Sequence, residues 1–148
     1  MASFAELLDF AIKQEEEAAA FYAEWSRKAT EPSVRETLLE LAEQERGHKA
    51  RLESIKAGGK IAKAGAKVRD LQISDYLVDV EAKANMSFQE ALIFAMKKEK
   101  AAFRMYSDMA ASATSDEAKK VLRFLAQEEA AHKLGFEIEY DDLVYQEN

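Results

Sequence analysis

Glu45 and His48 stand three residues apart in LAEQERGHKARLE (41–53), and Glu129 and His132 repeat the spacing in LAQEEAAHKLGFE (125–137). Three residues is about one helical turn, so on a helix each pair turns a carboxylate and an imidazole to the same side, where both can hold one ion. A single Glu-x-x-His in a chain this rich in Glu is a common accident. Its return at an offset of 84 residues carries more weight, although a duplication would copy an accident too. Glu15 and Glu99, also 84 apart, each sit in the middle of an otherwise apolar stripe, where an unpaired carboxylate is costly to bury.

The elements that must position these residues are helices. Apolar residues make up 48% of the 148 and charged residues 33%, with one Pro and five Gly, so few breakers interrupt the chain. Ser3 with Glu6 reads as a capping box, followed at helical spacing by Leu7, Leu8, Ala11, Ile12, Glu15, Ala18, Ala19 and Tyr22. Helix 1 is expected over about 3–28. Thr30, Glu31 and Pro32 break it, and Pro32 suits the first turn of helix 2. Helix 2 carries Leu38, Leu41, Ala42, Glu45, His48, Leu52 and Ile55 on one stripe and fades at Gly58 and Gly59. Ser87 with Glu90 opens helix 3, which runs to about 112 through Leu92, Ala95, Met96, Glu99, Ala102, Phe103 and Tyr106; helix 4 follows the Thr114–Glu117 turn toward Tyr145. Between the hairpins, residues 58–86 form a connection: a basic stretch with five cations from Lys56 to Arg69, read as a solvated link, then a short helix capped by Ser74.

Residues 3–53 laid over 87–137 without a gap give 19 identities among 51 positions. An internal duplication is the simplest account, each copy a helical hairpin whose apolar face must be buried. The expectation is one all-α domain over 1–148, made of hairpin 1 (about 3–57), the connection (58–86) and hairpin 2 (about 87–145). Glu15 and Glu45 lie 15 residues either side of Thr30, and Glu99 and Glu129 lie 15 either side of Thr114. At ~1.5 Å per residue, each pair sits at one height in its hairpin. If the hairpins pack by a two-fold, four carboxylates meet. They cannot all stay ionised in an apolar interior without cations, and two divalent ions balance them. A set of hard oxygens with imidazole suits iron or manganese. Ala11, Ala18, Ala42, Ala95, Ala102 and Ala126 either leave room there for metals and a small oxidant or reflect helix propensity alone.

Glu15, Glu45 with His48, Glu99, and Glu129 with His132 resemble the di-iron ligand set of the ferritin-like superfamily. Within it the chain is most similar to rubrerythrins, through EEEAAAFY (15–22), EKAAFRMY (99–106) and the two Glu-x-x-His words. The resemblance implies a ferritin-like four-helix bundle with a long crossover between helices 2 and 3 and an internal two-fold repeat. It also implies two iron ions, with manganese or zinc as substitutes: Glu15 and Glu99 as terminal ligands, Glu45 and Glu129 bridging, and one iron on each of His48 and His132. Two departures stand out. Rubrerythrins usually carry a Cys-bound rubredoxin-type site, whereas these residues include no Cys, so electrons are expected from an external donor such as a rubredoxin-like protein. The additional Glu that rubrerythrins have three residues after the helix 3 ligand is Ala102 here, which makes the set more symmetric and closer to that of bacterioferritins.

Tyr22 and Tyr106 lie two turns beyond Glu15 and Glu99 on the same face, where their hydroxyls can hydrogen-bond a ligand or simply fill the core. Trp25, Met96, Met105 and Met109 read as core or interface rather than haem ligands. Gln14, Glu16, Glu17 and Glu128 fall on other faces, and Gly47 and Gly135 would permit close helix approach. The net charge of −7 disfavours nucleic acid and anionic membrane, and the absence of Cys excludes thiol chemistry. With no basic-then-apolar leader and no apolar run near ~18 residues, a cytoplasmic protein is expected. The functions that fit are a di-iron oxidoreductase reducing hydrogen peroxide or dioxygen, a ferroxidase or iron-binding protein without peroxide turnover, a structural metal-binding bundle, and a manganese catalase-like enzyme. A homodimer is expected, and the long connection would allow hairpins to exchange between subunits.

Overall fold

The computed structural model describes residues 3–58, 72–78 and 85–147. Four helices carry the chain: α1 (Phe4–Lys28), α2 (Pro32–Ala57), α3 (Phe88–Ser112) and α4 (Asp116–Glu147), with a 3-10 turn at Ile73–Tyr76. Among the described residues there is no strand, and no helix is long and apolar enough to cross a membrane. Two compact units result, Met1–Arg69 and Asp70–Asn148, each built on one antiparallel hairpin.

In the first unit Ser3 caps α1 by accepting the Glu6 N–H at 3.1 Å, while its hydroxyl donates to the Glu6 carboxylate at 3.1 Å. Pro32 stands in the first turn of α2, where its missing N–H costs nothing. Arg35 then closes the turn: its Nε donates to the Ala29 carbonyl at 2.7 Å and a terminal nitrogen to the Thr30 carbonyl at 3.4 Å. These bonds satisfy carbonyls that the end of α1 leaves open. The buried face of α1 is Leu7, Leu8, Ala11, Glu15, Ala19 and Tyr22, extended at its ends by Phe4 and Trp25; α2 answers with Leu38, Ala42, Glu45, His48, Leu52 and Ile55.

The second unit repeats the plan with a complete capping box, Ser87 N–H to the Glu90 carboxylate at 3.0 Å and Glu90 N–H to Ser87 Oγ at 3.1 Å. Ser115 caps α4 through the Ala118 N–H at 3.3 Å. Asp116 and Glu117 therefore belong to the first helical turn, where acids favour the helix dipole, rather than to the loop. The buried face of α3 takes in Ala91, Phe94, Met105 and Met109 besides Leu92, Ala95, Glu99 and Tyr106, while Met96, Ala102 and Phe103 of the expected stripe are half-buried. The 3-10 turn packs on this helix, and Tyr76 donates to Asp108, next to Met109, at 2.8 Å.

Burial, and then the bond to Asp108, push the Tyr76 phenol well above its ordinary value. It remains a donor throughout the neutral range. A raised phenol pKa favours the folded state below pH ~10, and this contribution is lost as pH climbs toward the folded value. Tyr76→Phe removes a bond to a carboxylate and is expected to cost about 1–2 kcal/mol in urea unfolding at pH 7; an unchanged midpoint would show that the bond anchors nothing.

Ser74 lies inside the 3-10 turn and Gln72 precedes it, so the expected cap is not formed. Of the basic connection, Lys56 pairs with Asp9 at 2.5 Å, while Lys60, Lys63, Lys67 and Arg69 lie outside the described residues, as do Gly59 and most of the crossover. Gly47 and Gly135 do not serve close approach between the described helices. Both are exposed, and a Cβ at either would meet nothing within 4 Å. Gly47→Ala is therefore expected to raise stability by up to about 1 kcal/mol, seen as a melting temperature roughly 2–4 °C higher.

Candidate metal centre

Each hairpin brings two carboxylates and one imidazole together in its interior. In the first, His48 Nδ1 lies 3.2 Å from Glu45 Oε1 and 3.6 Å from Glu15 Oε2. In the second, His132 Nδ1 lies 3.4 Å from Glu129 Oε1 and 3.6 Å from Glu99 Oε2. Within each triad the donor atoms lie within 4.8 Å of one another. The Glu-x-x-His pair comes from one helix, one turn apart, and the third side chain comes across the hairpin from the helix where the apolar stripe carries its single acid.

All six side chains are buried, the four carboxylates at 2% exposure or less. Ionised acids do not accumulate in a helix interior without compensation, because desolvation costs several kcal/mol per ion. Donor atoms sharing one cation at about 2.1 Å stand about 3.0–3.5 Å apart, which is close to the separations within each triad. Both imidazoles turn the same nitrogen, Nδ1, to the acids. Oxygen with imidazole, and no sulfur, is the donor chemistry of iron, manganese or zinc. On geometry and chemistry the residues present fit a cation in each triad.

Ala11, Ala42, Ala95 and Ala126 are buried beside the triads, and Ala18 and Ala102 are half-buried. Tyr22 and Tyr106 are fully buried, and the Phe21 ring meets Tyr22 edge-on at 5.8 Å. Trp25, Met105 and Met109 are buried and Met96 half-buried, in keeping with core roles.

One feature next to the ligands has no helical-stripe signature. Lys49, which follows His48, bonds Glu16, which follows Glu15, at 3.3 Å. In the second unit the residue equivalent to Glu16 is Lys100, so Lys133 turns instead to Glu137 on its own helix. Glu16 and Glu17 are exposed, while Gln14 and Glu128 are half-buried rather than on the outer surface.

The Rubrerythrin family model matches residues 6–140. Among solved structures, the chain is similar to a protein from Thermotoga maritima described as a ferritin-like diiron-carboxylate protein, with a TM-score of 0.80 and 21% identity over 95% of both chains. It is also similar to a hypothetical protein from Pyrococcus furiosus, with a TM-score of 0.78 and 28% identity over 97% of this chain and 92% of the other. No curated protein matches the sequence. These likenesses give the fold class, all-α and ferritin-like, with four principal helices.

Proposed function

The chain belongs to the rubrerythrin family, and on that premise we propose that it is a di-iron carboxylate oxidoreductase that reduces hydrogen peroxide or dioxygen with electrons from a separate donor. The observation that carries this reading is the pair of buried triads, one per hairpin, each with two acids and one imidazole.

In this reading Glu15, Glu45 and His48 would hold one cation and Glu99, Glu129 and His132 the other, with Glu15 and Glu99 as terminal ligands and Glu45 and Glu129 as bridging ones. Bound iron would supply one-electron redox chemistry and Lewis acidity. The protein's own contribution is position and exclusion. Long helices hold each ligand in register, the side chains of Leu8, Ala11, Ala42, Leu52 and their counterparts keep water away, and the small Ala18 and Ala102 leave space for an oxidant of two heavy atoms. Tyr22 and Tyr106 are placed, in this proposal, to hold a ligand carboxylate from behind. The absence of Cys in these residues is why the electron donor is proposed as another protein, rubredoxin-like in chemistry. The net charge of −7 argues against nucleic acid and anionic membranes as partners and fits a cytoplasmic setting.

Ala102 favours a second reading. Without an additional carboxylate on α3 the set is symmetric, as suits ferroxidation, in which ferrous iron is oxidised once and is not re-reduced in place by a donor.

One experiment separates the two. Anaerobic protein loaded with ferrous iron should hold two ions per chain, change colour within seconds of adding peroxide, and consume further peroxide when a reductant is supplied. A single oxidation with no further consumption selects the ferroxidase reading. A rate no greater than that of a Glu45→Ala/Glu129→Ala control rules out both.

A further inference from the structure

We propose that Trp25 is a one-electron donor to the metal seat of the first hairpin, called on when hydrogen peroxide arrives while a single ferrous ion is bound, a role that rests on the di-iron reading above. Glu15, Ala19, Tyr22 and Trp25 follow one another along the buried face of α1, and Trp25 stands ~15 Å along the helix from Glu15. Ring contacts join the last two: Phe21 meets Tyr22 at 5.8 Å and Trp25 at 6.3 Å between centroids. Among side chains other than thiols, indole and phenol lose an electron most readily. The column therefore leads from an expected metal ligand, through a phenol, to an indole near the end of α1.

The second hairpin shows what packing alone requires. Its counterparts of Phe21 and Trp25 are Met105 and Met109, while Tyr106 keeps the place of Tyr22. Both methionines are buried, at 1% and 0% exposure. The same positions are thus filled without a ring, and filling them does not explain the indole. Trp25 is the one Trp in the sequence, and Lys28, whose counterpart is Ser112, holds its ammonium 4.8 Å from the centroid of the Trp25 ring.

Hydrogen peroxide takes up two electrons and two protons to become two waters. Both electrons are at hand when two ferrous ions are bound, and only one when a single ion is bound. One-electron cleavage then releases a hydroxyl radical among the ligands. Trp25 completes the balance. It loses one electron to the seat, past Tyr22, and its indole N–H proton to solvent. With the electron of the ferrous ion and two protons drawn from solvent, one peroxide gives two waters, one ferric ion and one neutral indole radical. Tyr22, 1% exposed, is shut off from the solvent that would carry away its proton, whereas Trp25, 8% exposed, reaches it. The ammonium of Lys28 disfavours a ring that stays positively charged, which drives the indole proton off. One electron from the external donor and one proton from solvent restore the indole.

A single Trp makes the assignment direct. The full chain, loaded anaerobically with one ferrous ion per chain and mixed with an equivalent of peroxide, should show on rapid freezing an organic radical. Its electron paramagnetic resonance spectrum should narrow when the protein is grown on deuterated tryptophan. Trp25→Phe, and Trp25→Met, which copies the second hairpin, should each lower that signal at least several-fold. Peptides holding Glu15 and His48 should then carry several-fold more added oxygen by mass spectrometry. Loading two ferrous ions before peroxide should also lower the parent's radical several-fold. Ferric absorbance in the same samples reports on the centre itself. Ferric iron without a tryptophan radical, a signal that neither substitution moves, or equal oxidation of the ligand peptides in parent and variants would each overturn the proposal and leave the di-iron reading standing. A failure to form ferric iron would remove that reading and the proposal together.

Discussion

In a Glu45→Ala/Glu129→Ala variant, peroxide consumption under saturating reductant is expected to fall by at least about a hundredfold, since even outer partners of metal ligands are worth about 10–100-fold. Loss of activity alone would not separate a lost ligand from a lost fold. The isosteric pair Glu45→Gln/Glu129→Gln makes that separation. It keeps the volume, removes two buried charges, and weakens metal binding. Metal-free, this variant should be at least as stable as the metal-free parent, because the parent's buried carboxylates then lose the cations that offset their desolvation. Urea unfolding of both forms, with and without iron, gives the four numbers required. If the metal-free variant unfolds more readily than the metal-free parent, the acids support the fold through ion pairing with His48 and His132, and the catalytic reading loses its foundation.

Removing metal from the parent should lower its stability by an amount set by mass action. A cation that binds only the folded chain at 100 times its dissociation constant contributes ~2.7 kcal/mol, and ~4.1 at 1,000 times. For a chain of this length the first figure corresponds to a fall in melting temperature of roughly 5–11 °C on chelation. The shift should grow with added metal and vanish in a variant lacking His48 and His132. A melting temperature indifferent to chelator would mean that the triads do not hold a cation in the folded protein.

The helices and the burial of four acids beside two imidazoles could be read from the sequence because they obey period and position. Ser87 with Glu90 marks a helix start by the geometry of its own two bonds, and Glu45 with His48 marks a shared face by a spacing of three. Glu15 stood out as the one acid on an apolar stripe, and the structure buries it beside His48. What escaped was whatever depends on a neighbour distant in sequence. Ala91 and Phe94 lie off the expected stripe and are buried on the helix that Tyr76 binds from 32 residues away. The bond between Lys49 and Glu16 joins two surface-type residues on different helices, which leaves no periodic trace. A glycine inside a helix, as at Gly47, suggests a crowded backbone; in the fold its Cα faces open space. Likewise Leu134 and Ile138 count as apolar in any pattern, and only the packed hairpin shows that they are left outside it.

The differing partners of Lys49 and Lys133 trace to one exchange between the copies, Glu16 for Lys100. It places two unit charges of difference beside otherwise matching ligand sets. A unit charge ~8 Å from a divalent ion in water is worth about 1 kcal/mol before salt screening. If each hairpin takes a divalent ion as proposed, the two seats would no longer be degenerate: in dilute buffer the earliest ion to arrive would have a preferred address in the amino-terminal hairpin, and the duplication would have become a sequence of filling.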